Sequence, residues 1–142
     1  MGHLSQESFE WYTPAKYIRA VKRVLGEIEL DPASSAQANR TVQAKQYYDL
    51  ATDGLTKRWN AQTVFMNPPY CKLGNTSNQE VWTAELLAEY KAGNIGEAIV
   101  LVTGAIETAW FHTLLSYPLC IVKGRIEFTT PAGEKGGGAT TG

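Results

Sequence analysis

Histidine and cysteine are scarce in this chain, which has two of each: His3, His112, Cys71 and Cys120. Two distant histidines argue against a histidine-centred metal site or catalytic triad. The cysteines have no neighbouring partners, which is neither a zinc pattern nor a disulfide framework. They suit a reducing cytoplasm. An excess of one charge is missing too. Thirteen Lys and Arg stand against fourteen Asp and Glu, a formal net charge of −1. That excludes a strongly basic DNA-coating protein and leaves room for local basic patches. The longest apolar run, Ala98 to Val102, falls far short of the roughly 20 residues that cross a bilayer. Met1 to Glu10 hold no apolar stretch, so no secretion signal is read there.

What is present is 142 residues, 44% hydrophobic and 19% charged. That is enough for one compact core and too apolar for a disordered chain. The expected division is a polar, loosely held segment at 1–10, a single domain at 11–130 and a glycine-rich tail at 131–142.

Thr13-Pro14 predicts a helix start, with the Thr13 hydroxyl as cap and Pro14 in the first helical position. Tyr17, Ile18, Val21, Val24 and Leu25 recur at helical spacing, and Gly26 is the stop. Lys16, Arg19 and Arg23 fall on the opposite face, first of all a solvated one. Residues 27–30 alternate as a short strand, and Asp31-Pro32 breaks it, so Asp31 is expected in the loop that follows. Ala33 to Asn39 reads as a loop into a short helix, Tyr47-Tyr48 as extended, and Asp53-Gly54 as a turn before one helical turn over Leu55 to Trp59.

Thr63 to Met66 is β-prone, and Pro68-Pro69 forces the chain out of the sheet into a polar loop, Cys71 to Thr76. Ser77-Asn78-Gln79-Glu80 has the capping-box pattern and opens a helix with Val81, Ala84, Leu87 and Ala88 inward, closed by Gly93. Ala98 to Val102 reads as a strand buried on both faces. A helix over 108–116 and strands at 119–122 and 125–128 complete the pattern. Strands alternating with helices predict an α/β sandwich with a mostly parallel sheet. Ligands bind beyond the carboxyl ends of such strands, where Asp31, Asp53 and Asn67 are expected.

The sharpest motif is Asn67-Pro68-Pro69-Tyr70, directly after that β-prone segment. A tetrapeptide of these types arises by chance in roughly a few chains per ten thousand of this length. Its plain reading is a strand-ending turn, for which Asn-Pro is a common device. A turn, however, does not need this order followed by an aromatic. The order suits chemistry on a planar amino group. The exocyclic nitrogen of adenine is a poor nucleophile, because its lone pair is delocalised into the ring. Two acceptors aimed at its hydrogens, the Asn67 side-chain oxygen and the Pro68 carbonyl, draw that lone pair out toward an electrophile. The prolines stiffen the loop, and Tyr70 offers a flat face for a base flipped from a duplex.

Asn67-Pro68-Pro69-Tyr70 resembles the catalytic motif of S-adenosylmethionine-dependent amino-methyltransferases acting on adenine, cytosine or glutamine nitrogen. Trp11-Tyr12-Thr13-Pro14, Leu30-Asp31-Pro32-Ala33, Asp53-Gly54-Leu55, Trp59, Gly124-Arg125-Ile126 and Phe128 extend the likeness. From Phe9 to Phe128 the chain resembles the phage-type DNA N6-adenine methyltransferases. The resemblance implies a Rossmann-like methyltransferase sandwich that moves a methyl group from S-adenosylmethionine to N6 of adenine in DNA, without a metal. It assigns Asn67, Pro68, Pro69 and Tyr70 to the target base. Trp11, Thr13 and Pro14 match the element against the methionine end of the donor, and Asp31, Pro32 and Ala33 the loop beside its methionine part. Asp53 matches the acid that accepts from the donor adenine, with Leu55 beside that ring.

The departures are specific. No glycine follows Asp31-Pro32-Ala33-Ser34-Ser35, where methyltransferases usually have a Gly-rich turn. Only 36 positions separate Asp31 from Asn67, so one strand–helix unit is shortened or missing. The family also runs past the glycine tail into a last strand that this chain, ending at Gly142, can lack. Lys16, Arg19, Arg23, Lys72 and Arg125 are the candidate DNA contacts, and no segment is long enough for a separate target-recognition domain. A short sequence preference, read by the loops around Cys71 to Ser77, is expected. The competing readings are a methyltransferase acting on RNA or protein glutamine, a catalytically inactive DNA-binding remnant, and an α/β domain whose tetrapeptide is only a turn. The oligomeric state is left open.

Overall fold

Ile18, Val21 and Leu25 fall on one side of a helix, and burying that side produces α1 (Ala15–Leu25). The computed structural model describes residues 12–69, 72–73, 76–129 and 135–136. Gly26, at φ 79°, ends α1 and donates its N–H to the Lys22 carbonyl at 2.8 Å. Only glycine adopts that backbone at little cost. Two details differ from expectation. Pro14 is extended (ψ 147°) and is itself the cap, and no side chain caps the helix, so Thr13 is left for another partner. Val24 is 68% exposed: it lies one position off the buried stripe.

Four parallel strands form the sheet: β1 (Leu30–Asp31), β2 (Gln46–Tyr47), β3 (Ala61–Met66) and, after two short strands considered below, β6 (Ile95–Val100). Their order is β2-β1-β3-β6, with Leu30 opposite both Gln46 and Val64, and Phe65 opposite Ile99. The chain leaves β1 for β2 on one side and then returns to β3 on the other. That reversal is a topological switch point, and it opens a crevice beyond the carboxyl ends of β1 and β3. Successive residues of β3 serve opposite faces. Phe65 packs with Ile18, Val21 and Leu25 of α1 and with Val42 of α2 (Asn39–Val42). Val64 and Met66 pack with Trp82 and Leu86 of α3 (Asn78–Lys91) and with Trp59. The architecture is the Rossmann-like α/β sandwich expected, with a purely parallel main sheet.

Several elements depart from the sequence reading, each for a physical reason. β1 covers only Leu30–Asp31, so Asp31 is the last residue of the strand and not part of the following loop. The helical turn expected over Leu55 to Trp59 is a 3-10 turn at Gly54–Thr56, started when the Asp53 side chain accepts from the Leu55 N–H. The polar loop at 71–76 contains two paired strands, β4 (Lys72–Leu73) and β5 (Thr76–Ser77). In α3, Ser77 caps as expected by accepting from the Gln79 N–H. Its buried side, however, is Asn78, Gln79, Trp82, Thr83, Leu86 and Glu89, not Val81, Ala84, Leu87 and Ala88. Four of those six are polar and satisfied within the fold or at the cavity, so hydrophobic spacing points to the wrong face.

β6 is not buried on both faces: it ends the described sheet, and residues 98–101 are half-buried. The helix expected over 108–116 is α4 (Ala109–His112), capped by the Thr108 hydroxyl and followed by turns. No strand forms at 119–122, where Leu119 and Ile121 are exposed. The strand expected at 125–128 is β7 (Phe128–Thr129), paired antiparallel with β8 (Lys135–Gly136). The segment 1–10 and the tail apart from 135–136 lie outside the described residues.

Candidate functional site

Two prolines with no N–H cannot extend a ladder, so β3 makes its last rung where the Leu101 N–H donates to the Met66 carbonyl, at 2.9 Å. Asn67-Pro68-Pro69 then turns across the crevice, with Pro68 fully buried. Beside it, Asp31 ends β1 and leads into Pro32 and Ala33. These six residues line one cavity of about 360 Å³, within the roughly 300–1,000 Å³ of small-molecule sites. Asp53 and Leu55 line it as well, and Thr13 enters from the start of α1. Residues from four separate stretches of the chain therefore meet at the switch point.

Asp31 is the most perturbed of them. It is 3% exposed, and burial pushes its pKa up to about 7 from the ordinary carboxylate value of 3.8. The Ala33 N–H, donating to Oδ1 at 3.2 Å, and the Ser34 hydroxyl oppose that shift without cancelling it. No cationic side chain forms an ion pair with Asp31 among the described residues. A desolvated carboxylate facing a cavity without a cation is a site suited to a positively charged group.

The opposite wall is built by packing. Gly54 sits so close to the Pro32 carbonyl that a Cβ there would overlap it, and the Trp82 ring lies 3.2 Å from the same point. The Gly54 carbonyl accepts from Trp59 Nε1 at 2.8 Å, and Trp59 stacks on Trp82 with centroids 5.9 Å apart. Trp59 is anchored by Glu89, which accepts its backbone N–H at 2.6 Å and also bonds Asn94 and Arg58. Burial alone would raise the Glu89 pKa. The donors from Trp59, Asn94 and Arg58 outweigh it and hold that carboxyl below its usual range. Asp53, at φ 52°, is one of two non-glycine residues among those described that have a left-handed backbone, a conformation that aspartate tolerates.

Asn67 Nδ2 donates to the Thr13 hydroxyl oxygen at 3.2 Å, across 54 positions of sequence. Thr13 is buried, so this bond ties the N-terminal element to the loop after β3.

Of the residues read from sequence, Thr13, Asp31, Pro32, Ala33, Asp53, Leu55, Asn67, Pro68 and Pro69 come together. Pro14 does not line the cavity. Lys16, Arg19, Arg23 and Arg125 are exposed outside it. Trp11, Tyr70 and the Lys72 side chain lie outside the described residues. Sequence reasoning missed Ser34, Tyr48, Asp49, Leu50, Asn78 and Trp82, which also line the cavity. Tyr48 and Asp49 follow the carboxyl end of β2, and the strand-end rule could have found them. Asn78 and Trp82 carry no local signal, because they arrive on α3.

Among the described residues no cluster of His, Cys, Asp and Glu could hold a metal ion, and no helix is long and apolar enough to cross a membrane. The sequence model of the family described as DNA N-6-adenine-methyltransferase (Dam) matches residues 3–141. No curated protein and no solved structure matches the chain.

Proposed function

The chain belongs to the DNA N-6-adenine-methyltransferase (Dam) family, and from that premise we propose that it moves a methyl group from S-adenosylmethionine to the N6 amino group of adenine in duplex DNA. The observation that carries this reading is that Asn67-Pro68-Pro69 and the buried Asp31 border the same cavity. The donor fits what is there. Its methionine end carries a cationic amine and a sulfonium, and Asp31 is a buried carboxylate that no cationic side chain pairs with among the described residues.

When bound, the donor supplies a methyl group on an already electrophilic sulfur. The remaining work belongs to the chain. Asn67 Oδ1 and the Pro68 carbonyl accept the two amino hydrogens of adenine, so the nitrogen lone pair is directed out of the ring plane. The rigid prolines keep both acceptors in place before the base arrives. Asp31 holds the charged end of the donor, with Pro32 and Ala33 as the adjoining wall. Asp53 accepts from the donor's adenine, and Leu55 packs on that ring. Tyr70 is assigned to the flipped target base and Trp11 to the donor's methionine end, the roles the family resemblance gives them. The product proton leaves to solvent, so no placed histidine is required.

Lys16, Arg19 and Arg23 on one face of α1, with Lys72 and Arg125, meet DNA phosphates, and the loops around Cys71 to Ser77 read a short sequence preference. Labelled-methyl transfer to duplex DNA, RNA and protein tests the whole. Label entering DNA adenine is the expected result. Label confined to RNA or protein glutamine, or duplex binding with no transfer, overturns it. Asn67→Ala removes one acceptor and is expected to slow transfer by roughly 100- to 1,000-fold, about 2.7–4 kcal/mol. Transfer at the parent rate would remove Asn67 from the chemistry.

A further inference from the structure

A glycine serves either a backbone that other residues resist or the space its missing side chain leaves. Gly54 is of the second kind. It lies in the 3-10 turn Gly54–Thr56, and its φ is not one of the positive ones, so the backbone is open to any residue. Space is what it gives up. A Cβ there would overlap the Pro32 carbonyl, which is main chain and cannot swing aside, and would press on the Trp82 ring at 3.2 Å.

We infer that Gly54 is a positioning residue that fixes the span between the two ends of the donor site. It joins two loops that leave neighbouring strands. Asp31-Pro32 leaves β1, and the chain leaving β2 after Tyr47 runs through Asp53 to Gly54. In the proposed function the first loop holds the donor's methionine end at Asp31, and the second holds its adenine at Asp53 and Leu55. Contact between the loops, with no side chain in between, brings both subsites onto one cavity. The contact is held from both sides. The Gly54 carbonyl accepts from Trp59 Nε1 at 2.8 Å and from the Lys57 N–H at 3.1 Å, and Trp59 is fully buried. An indole N–H only donates and a carbonyl only accepts, so this bond has one sense. The first loop is tied to the chain after β2 as well: the Ser34 N–H donates to the Tyr48 carbonyl at 2.8 Å, and the Tyr48 N–H to the Asp31 carbonyl at 3.1 Å. The donor is one molecule of limited reach, and its ends reinforce each other only where their subsites stand at a matching distance. The inference rests on the donor-binding part of the proposed function and adds the residue that sets that distance.

The test uses the full chain and calorimetry with two probes. S-adenosylhomocysteine carries both ends, and 5′-methylthioadenosine carries the adenine end alone. A wild type that binds neither overturns the donor reading and the inference together. One that binds S-adenosylhomocysteine alone overturns the inference, since there is then no separate adenine end to position. One that binds both but methylates no DNA overturns the methyl transfer only, and the variants still decide the inference. Gly54→Ala is expected to weaken S-adenosylhomocysteine about tenfold or more, the scale of a methyl group forced into a packed contact. It should weaken 5′-methylthioadenosine about twofold or less, because the turn leaves Pro32 with Asp53 and Leu55 intact. Gly26→Ala, strained at φ 79° and outside the cavity, lowers the melting temperature and leaves the ratio of the two affinities unchanged. Trp59→Phe is milder and decides where Gly54→Ala does not fold. It removes the indole N–H and keeps the Lys57 donor and an aromatic ring against Trp82. It is expected to weaken S-adenosylhomocysteine about threefold to tenfold, the worth of one net hydrogen bond, with 5′-methylthioadenosine again within about twofold. The inference is overturned if both probes weaken by the same factor, or if a folded variant binds S-adenosylhomocysteine as tightly as the wild type.

Discussion

Asp31 and Glu89 are both carboxylates almost removed from water, at 3% and 4% exposure, yet their surroundings treat them oppositely. Glu89 closes a knot of protein: Trp59 N–H, the Asn94 amide and the Arg58 guanidinium all donate to it, and it stays ionised below its usual range. Asp31 lies at the rim of the cavity with help, among the described residues, from Ala33 and Ser34, and burial pushes it up to about 7. The difference separates two uses of a buried charge. Donors brought by the fold satisfy Glu89, which then fastens α3 to the segment carrying Trp59 and Gly54. Among the described residues no cation pairs with Asp31, so its charge is most favourable when a ligand provides one. Folding and binding thus use the same chemical group in different states of completion.

The strongest way to break this contrast is Asp31→Asn. Removing one partner of a buried charge pair costs roughly 2–5 kcal/mol of binding, so calorimetric affinity for S-adenosylmethionine is expected to fall at least about thirtyfold at pH 8. The same variant should be the more stable one without ligand. A folded-state pKa raised above the unfolded value means that the native chain holds the extra proton. Stability is then full below the unfolded value of 3.8 and is lost as pH rises through about 7. Melting temperature against pH should therefore decline toward neutrality in the wild type and flatten in Asp31→Asn. An unchanged profile would mean that the carboxylate has a partner after all.

Glu89→Ala probes the other side. It strands the buried Trp59 N–H and is expected to cost about 1–3 kcal/mol in urea unfolding, while the folded fraction keeps its donor affinity. Its pH signature has the opposite sign. A depressed carboxylate contributes above its unfolded value of 4.5 and loses that contribution as acid takes pH down through the folded value. Arg58→Ala is the smallest change. Its side chain is 71% exposed and 3.2 Å from Glu89, so about 0.2–1 kcal/mol is expected. A larger loss would show Glu89 to be held by charge more than by its buried backbone donor.

Much of the site was legible because its signals are local. Asn67-Pro68-Pro69 after a β-prone run needs only the missing proline N–H to say that the chain exits a sheet there. Asp31-Pro32 says the same of β1, and parallel strands put both exits on one rim. Illegible parts have their cause at a distance. The buried side of α3 is mostly polar because Gln79 bonds Thr103 through both ends of its amide and Glu89 serves Trp59. Hydrophobic spacing therefore chose Val81 and Leu87 in error. Thr13 was read as a cap because local rules see only its neighbour Pro14, whereas its partner Asn67 stands 54 positions away.

The sequence alone determined the alternation of main-sheet strands with α1 and α3, the exit points at Asp31 and Asn67, and the family to which the chain belongs. These depend on proline, glycine and short-range periodicity, which act within a few residues. Tertiary structure decided how the two buried carboxylates differ in their donors, that Asn67 meets Thr13, and that Trp82 and Gly54 form a wall. Those outcomes turn on desolvation and on donors supplied from remote segments, and neither exists until the sheet has brought the segments together.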